Sequence, residues 1–136
     1  LAVGTDGPSS NNALDMFREM YLISVLQKLK HNDAAAMDAN EILKAATSGS
    51  AKCMGLTDCD CIAEGKLADL MIIDLERPNM QPINNITKNL VYSGSKDDVK
   101  MTMINGKILY ENGEFVNIDK EEIYAKAQEI CNRLKN

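Results

Sequence analysis

Along the first third of the chain the apolar residues Leu14, Phe17, Tyr21, Leu22, Val25, Leu26 and Leu29 recur mostly at spacings of three and four, which predicts a helix over residues 13–30 with a broad buried face. Met16, Met20 and Ile23 widen that face, so the helix needs cover on more than one side, as an outer helix between neighbours and a sheet has, or as an internal helix of a small bundle has. Asn12 is placed to cap its start, with Asp15 at the third helical position, and His31 sits where an imidazole complements the negative end of the helix dipole. Ahead of the helix, Leu1-Ala2-Val3 reads as a short buried strand running into Gly4-Thr5-Asp6-Gly7. With no turn or cap before it, that strand reads as the cut edge of something larger.

Asp38 followed by Glu41 has the form of a capping box and opens a second helix running toward Met54, with Gly55 as its terminator. The pattern then changes. Gly65-Lys66 makes a turn, and Leu70-Met71-Ile72-Ile73-Asp74 is an apolar run of strand length. Pro78 and Pro82 bracket an extended loop, residues 85–92 suit a short helix, and Val99, Met101 and Met103 alternate with Lys100 and Thr102 as a half-buried strand does. Asn105-Gly106 favours a type I′ turn and hence an antiparallel hairpin of residues 100–104 with 107–110; Asn112-Gly113 offers a second turn. From Asp119 the capping logic repeats with Glu122, and Ile123, Ala127, Ile130 and Leu134 form one stripe on an amphipathic docking helix.

Composition narrows the class without changing these elements. The chain has 136 residues, 45% hydrophobic and 26% charged, with net charge −5, an ordinary globular balance. It suits about one domain and falls short of the roughly 200 residues that a closed (β/α)8 barrel needs. No run of about 18 apolar residues occurs, and the first residues lack the order of a signal peptide, so neither a membrane span nor export is expected. An acidic chain with dispersed lysines offers no footprint for a phosphate backbone, and nucleic acid is not an expected partner. Cys59-Asp60-Cys61 invites a metal reading, but structural zinc wants two spaced Cys or His pairs, and the sole histidine, His31, lies far off. Cysteines 53, 59, 61 and 131 are therefore expected as free thiols in the cytoplasm.

Val3-Gly4-Thr5-Asp6-Gly7, Ser10-Asn11-Asn12 and Leu14-Asp15-Met16 together resemble the last barrel-strand motif of amidohydrolase-superfamily deaminases, most closely the methylthioadenosine/S-adenosylhomocysteine deaminase group. Ala46-Thr47 with Gly49-Ser50-Ala51, Gly65-Lys66-Leu67-Ala68-Asp69-Leu70, Pro78 through Gln81-Pro82, Asn89-Leu90-Val91-Tyr92 and Asn105-Gly106-Lys107 are similar to the same family in the same order. The resemblance implies an α/β chain that is the C-terminal piece of a (β/α)8 metal-dependent hydrolase barrel, plus strands of its small β-sandwich and a terminal helix. Residues 1–61 would supply the last barrel strand and outer helices, 62–116 the sandwich segment and 117–136 the closing helix.

On spacing alone Asp6, standing before a glycine, reads as a turn or capping residue. The resemblance instead implies that Asp6 is catalytic, binding a divalent metal, usually zinc, and accepting a proton from the attacking water; Ser10, Asn11 and Asn12 shape the loop. The family's His-x-His pair and other metal-binding histidines would lie upstream. It further implies that the partner is the N-terminal remainder of the same enzyme, that the substrate is a small purine nucleoside, and that the isolated piece is inactive and self-associates through apolar surface. Two other readings stay open at this point: a fragment of a chlorohydrolase or other aminohydrolase, and a non-enzymatic binding or assembly module.

Overall fold

The computed structural model describes residues 1–135. Its first helix, α1 (Met16–His31), begins three residues later than the periodicity predicts, and its cap is Asp15, not Asn12. The Asp15 carboxylate accepts from the backbone N–H groups of Phe17 and Arg18, at 3.0 and 3.4 Å. Just upstream, the Asn11 side chain accepts from the Ala13 N–H and Leu14 takes a left-handed φ of 42°, so residues 13–15 turn instead of winding into the helix. Asn32, also left-handed, closes the other end, and His31 lies in the last turn with Lys28 and Lys30.

The buried stripe of α1 is Phe17, Met20 and Ser24, whereas Leu14, Tyr21, Leu26 and Leu29 are exposed, contrary to the face expected from sequence. A helix that is apolar nearly all round cannot select its own buried stripe; the neighbours select it. Those neighbours are α2 (Ala39–Lys44) and α4 (Ile86–Tyr92), which bring Ala39, Ile42 and Val91 against Phe17 and Met20. Ile42 has no exposed surface at all. The capping box is present as predicted, Asp38 accepting from Asn40 and Glu41 while Glu41 accepts from the Asp38 N–H. After α2 the helix widens into a π-turn (Ala45–Gly49) and resumes as α3 (Ser50–Cys53), ending at Gly55 with φ 73°.

The second half forms one four-stranded antiparallel sheet in the order β1 (Leu70–Ile73), β2 (Val99–Ile104), β3 (Lys107–Glu111), β4 (Glu114–Phe115). Leu70 faces Met103 and Ile72 faces Met101 across the first pair. Asn105 and Gly106, at φ 47° and 75°, make the predicted two-residue turn, in which both central residues must be left-handed. Tyr110 pairs with Phe115 at the second turn, their rings 5.2 Å apart. Ile73 and Val99 reach the helical core, so sheet and helices share one apolar centre. Asp98, at the head of β2, is buried but satisfied, accepting from the Ser95 N–H at 2.7 Å and the Asn79 amide at 2.8 Å.

The sheet and both termini bear on three expectations. The strands expected to belong to the small sandwich form this single sheet. Leu1-Ala2-Val3, expected as a strand, has no ladder within this chain, because a ladder needs a neighbour and none of the described strands lies beside it. The last helix, α5 (Lys120–Leu134), is capped by Asp119 as expected, but its apolar stripe is uncovered: Ile123 and Ile130 are each 51% exposed and Leu134 81%.

Between α3 and β1 the chain runs through residues 57–69 as a loop held by Lys66, whose ammonium donates to the Thr57 carbonyl and to the Asp60 carboxylate, the latter at 2.7 Å. That hydrogen bond holds Asp60 below the usual carboxylate range and Lys66 above the usual amine range. Lys66→Met should therefore raise the Asp60 pKa, read by NMR titration of its carboxyl carbon in the intact protein; an unmoved titration would show the pair to be without electrostatic consequence. By linkage, Asp60 favours the folded loop above the unfolded carboxyl pKa, and this contribution disappears as pH falls through the lowered folded value. At the core, Ile42→Ala should cost about 2–5 kcal/mol in denaturant unfolding of the intact protein. Lys107→Ala, at an exposed hairpin position, should change it by less than about 0.5 kcal/mol.

Candidate functional site

Residues 1–6 form a segment outside the helices and strands, and among the described residues Val3 alone ties it by hydrogen bonds to the chain beyond Gly7. The Val3 N–H donates to the Ser50 hydroxyl at 3.2 Å, and that hydroxyl lies 3.1 Å from the Val3 carbonyl and 2.8 Å from the Ala45 carbonyl, one proton being shared between the two acceptors. Beside it, Gly49 leaves no room for a side chain: a Cβ there would sit 2.5 Å from the Leu1 carbonyl oxygen. The segment also forms one wall of a groove of about 290 Å³ whose other wall is Leu22, Ile23 and Leu26 of α1.

At the far end of this segment Asp6 turns the chain. Its φ of 59° lies in the left-handed region, which an aspartate tolerates better than most residues. Its Oδ1 accepts from the Gly7 N–H at 2.7 Å, and the Thr5 hydroxyl donates to its carbonyl at 3.1 Å. Among the described residues Oδ2 has no hydrogen-bond partner, and the side chain is exposed. The Gly7 carbonyl then accepts from the N–H groups of Ser10 and Asn11, while the Asn11 amide donates to Glu19 of α1 at 2.7 Å, docking the loop on the helix. Ser10, Asn11 and Asn12 thus follow Asp6 by four to six residues, and Asn11 shapes the loop as expected. The tie between Ser50 and Val3 is not readable from spacing, since 47 residues separate the two; the small-residue run Gly49-Ser50-Ala51 in a helix is the one local signal of a close approach.

A carboxylate such as that of Asp6 can offer one hard anionic oxygen to a divalent ion. Among the described residues no three His, Cys, Asp or Glu side chains gather where they could hold an ion. Cys59 and Cys61 line a separate hollow of about 430 Å³ with Asp69, Met71 and Met103. Burial pushes the Cys59 thiol up, and the facing Asp69 carboxylate pushes the same way. That environment favours the thiol over the thiolate that a metal requires. A further polar cluster joins α1 to α4, with the Lys28 ammonium 2.9 Å from both the Ser24 hydroxyl and the Tyr92 phenol; this donation draws the Tyr92 pKa down.

Comparison with known proteins puts this geometry in context. The chain is 46% identical over 126 residues to the 5-methylthioadenosine/S-adenosylhomocysteine deaminase of Pyrococcus furiosus, covering 93% of this chain and 30% of that protein. It is 40% identical over 136 residues to the protein of the same name from Pelotomaculum thermopropionicum, covering 100% of this chain and 31% of the relative. The chain therefore spans about a third of the length of these curated relatives. Among solved structures it resembles an adenosine deaminase from Xanthomonas campestris with bound zinc, at a TM-score of 0.95 and 38% identity, over 99% of this chain and 31% of that one. It also resembles a zinc-complexed atrazine chlorohydrolase from Arthrobacter aurescens, at a TM-score of 0.75 and 28% identity, over 90% of this chain and 28% of that one. Residues 1–109 match the sequence profile of the amidohydrolase family. With the match running from the Asp6 segment through the helical core and into the third strand, the chain belongs to the amidohydrolase family.

Proposed function

We propose that this chain is the C-terminal part of a metal-dependent hydrolase that removes the amino group of an adenosine-type purine, with methylthioadenosine or S-adenosylhomocysteine as the substrate class. The observation that carries the reading is the Asp6 carboxylate, exposed at the end of an extended segment in a chain that overlays along almost its whole length on a zinc-bound adenosine deaminase. The alternative, a chlorohydrolase, is supported by the weaker overlay on the atrazine enzyme. In this proposal residues 1–61 complete the barrel, 62–116 supply sandwich strands and 117–136 close the chain, while the partner is the remaining two-thirds of the same enzyme. A cytoplasmic location belongs to the same reading, since exposed thiols at Cys53, Cys61 and Cys131 suit a reducing compartment.

A divalent ion such as zinc, when bound, supplies the electrophile that makes water acidic near neutral pH. Asp6 fits one position in such a site through its uncommitted Oδ2, while the Gly7 N–H fixes the carboxylate through Oδ1. It also has the chemistry of a general base: it takes a proton as water oxygen adds to the ring carbon bearing the amino group, and returns that proton to the departing nitrogen. The bond formed is C–O, the bond broken is C–N, and ammonia leaves. The remaining ligands would come from the rest of the enzyme, because one carboxylate cannot make the three-ligand site that zinc catalysis uses.

In the complete enzyme, Asp6→Asn should abolish most turnover of methylthioadenosine while circular dichroism and the unfolding midpoint stay as in the parent; near-normal turnover would remove Asp6 from the chemistry. Run on adenosine, methylthioadenosine, S-adenosylhomocysteine and atrazine, the same assay separates the two substrate classes, and release of chloride instead of ammonia would favour the alternative. The isolated chain should self-associate, since Leu29 and Leu134 are 79% and 81% exposed and α5 carries an uncovered stripe. Sedimentation velocity checks this, with a concentration-independent monomer as the contrary result.

A further inference from the structure

We infer that Gly49 and Ser50 are positioning residues for the Asp6 carboxylate, so that the π-turn of the second helix sets catalytic geometry as well as packing. The inference rests on the proposed role of Asp6 and deepens it.

Three observations converge on these two residues. First, the helix running from Ala39 to Cys53 is interrupted by a π-turn at Ala45–Gly49, and such turns insert an extra residue that redirects the side chains following them. The residue redirected here is Ser50, whose hydroxyl satisfies the Ala45 carbonyl at 2.8 Å and both backbone groups of Val3. Second, Gly49 brings the helix backbone against the Leu1 carbonyl so closely that a Cβ would lie 2.5 Å from that oxygen and 3.0 Å from the Lys44 carbonyl. Both obstructing atoms are backbone, so neither can swing aside as a flexible side chain would. Third, among the described residues Val3 is the one residue of 1–6 that hydrogen-bonds beyond Gly7, and both of its backbone groups do so through Ser50. Leu1 and Val3 are thus the two points at which the helix meets the segment.

Val3 precedes Asp6 by three residues, about 10 Å along an extended chain. A shift of the segment at Val3 is therefore passed toward the carboxylate, which the left-handed turn at Asp6 places three residues on. Proton transfer to a base depends on placement at the scale of an ångström, and misplacement of that size costs up to about 100-fold in rate. The helix thus acts on the reaction through the segment, without either residue touching substrate.

The test is made in the complete enzyme, with the substrate it turns over fastest. Ser50→Ala removes the hydroxyl, Gly49→Ala pushes on Leu1, Ser50→Thr restores a hydroxyl, and Asp6→Asn serves as the reference. Ser50→Ala and Gly49→Ala should lower kcat by about 10–100-fold with KM little changed, and should displace the acid limb of the kcat/KM profile. Ser50→Thr should recover most of the loss. A purely structural role predicts a lower melting temperature with kcat and the acid limb unmoved, and that result in Ser50→Ala, the gentler of the two variants, overturns the inference. The two levels separate cleanly: an active Asp6→Asn enzyme overturns the role of Asp6, whereas an inactive one beside a Ser50→Ala enzyme of parental kcat overturns the positioning role alone.

Discussion

The burial of Ile42 against Phe17, Met20 and Val91 is the contact on which the rest of the chain depends, because it fixes three helices from distant parts of the sequence in one arrangement. Phe17 and Met20 come from α1, Ile42 from α2 and Val91 from α4, so the cluster closes the chain on itself across more than seventy residues. The sheet is attached to the same centre through Ile73 and Val99. Burying a side chain of this size is worth about 1.5–3 kcal/mol, and a domain with so few fully buried residues relies heavily on each of them.

Around that centre much apolar surface remains uncovered. Leu26 and Leu29 on α1, Met71 and Ile72 on β1, and Ile123, Ile130 and Leu134 on α5 all face outward. Soluble proteins rarely leave such faces open, and a chain that spans about a third of its relatives' length has a physical reason to carry them: surfaces that the remainder of the fold would cover. The groove between residues 2–4 and α1 is of the same kind, an apolar wall beside an extended segment that has no sheet of its own.

The polar interactions serve position more than stability. Ser50 ties an otherwise unpaired segment to the helix, Asp98 with Asn79 and Ser95 locks the entry to β2, and Lys66 with Asp60 closes the loop before β1. The Lys66–Asp60 pair is partly exposed and adds little to global stability. Each of these contacts nonetheless decides where a backbone segment runs, and for residues 1–6 that decision reaches Asp6.

What the sequence determined by itself was local. The capping box at Asp38, the Asn105-Gly106 turn, the strand at residues 70–73, the short helix after Asn85 and the Asp119 cap all follow from interactions within a few residues, and the structure contains each of them. The Asp6 motif was equally legible, because its residues are contiguous. At Asn12, the cap expected from sequence, the outcome turned on backbone torsions at Leu14 that spacing does not encode, and Asp15 caps the helix instead. Tertiary structure alone decided which stripe of α1 is buried, because its apolar residues run nearly all round and only α2 and α4 distinguish one side from another. A ladder for residues 1–3 depends likewise on a neighbour that spacing cannot supply, and none of the described strands lies beside them. Tertiary structure alone brought Ser50 to Val3, since a hydrogen bond across 47 residues depends on how the helices pack and leaves no periodic trace in the chain.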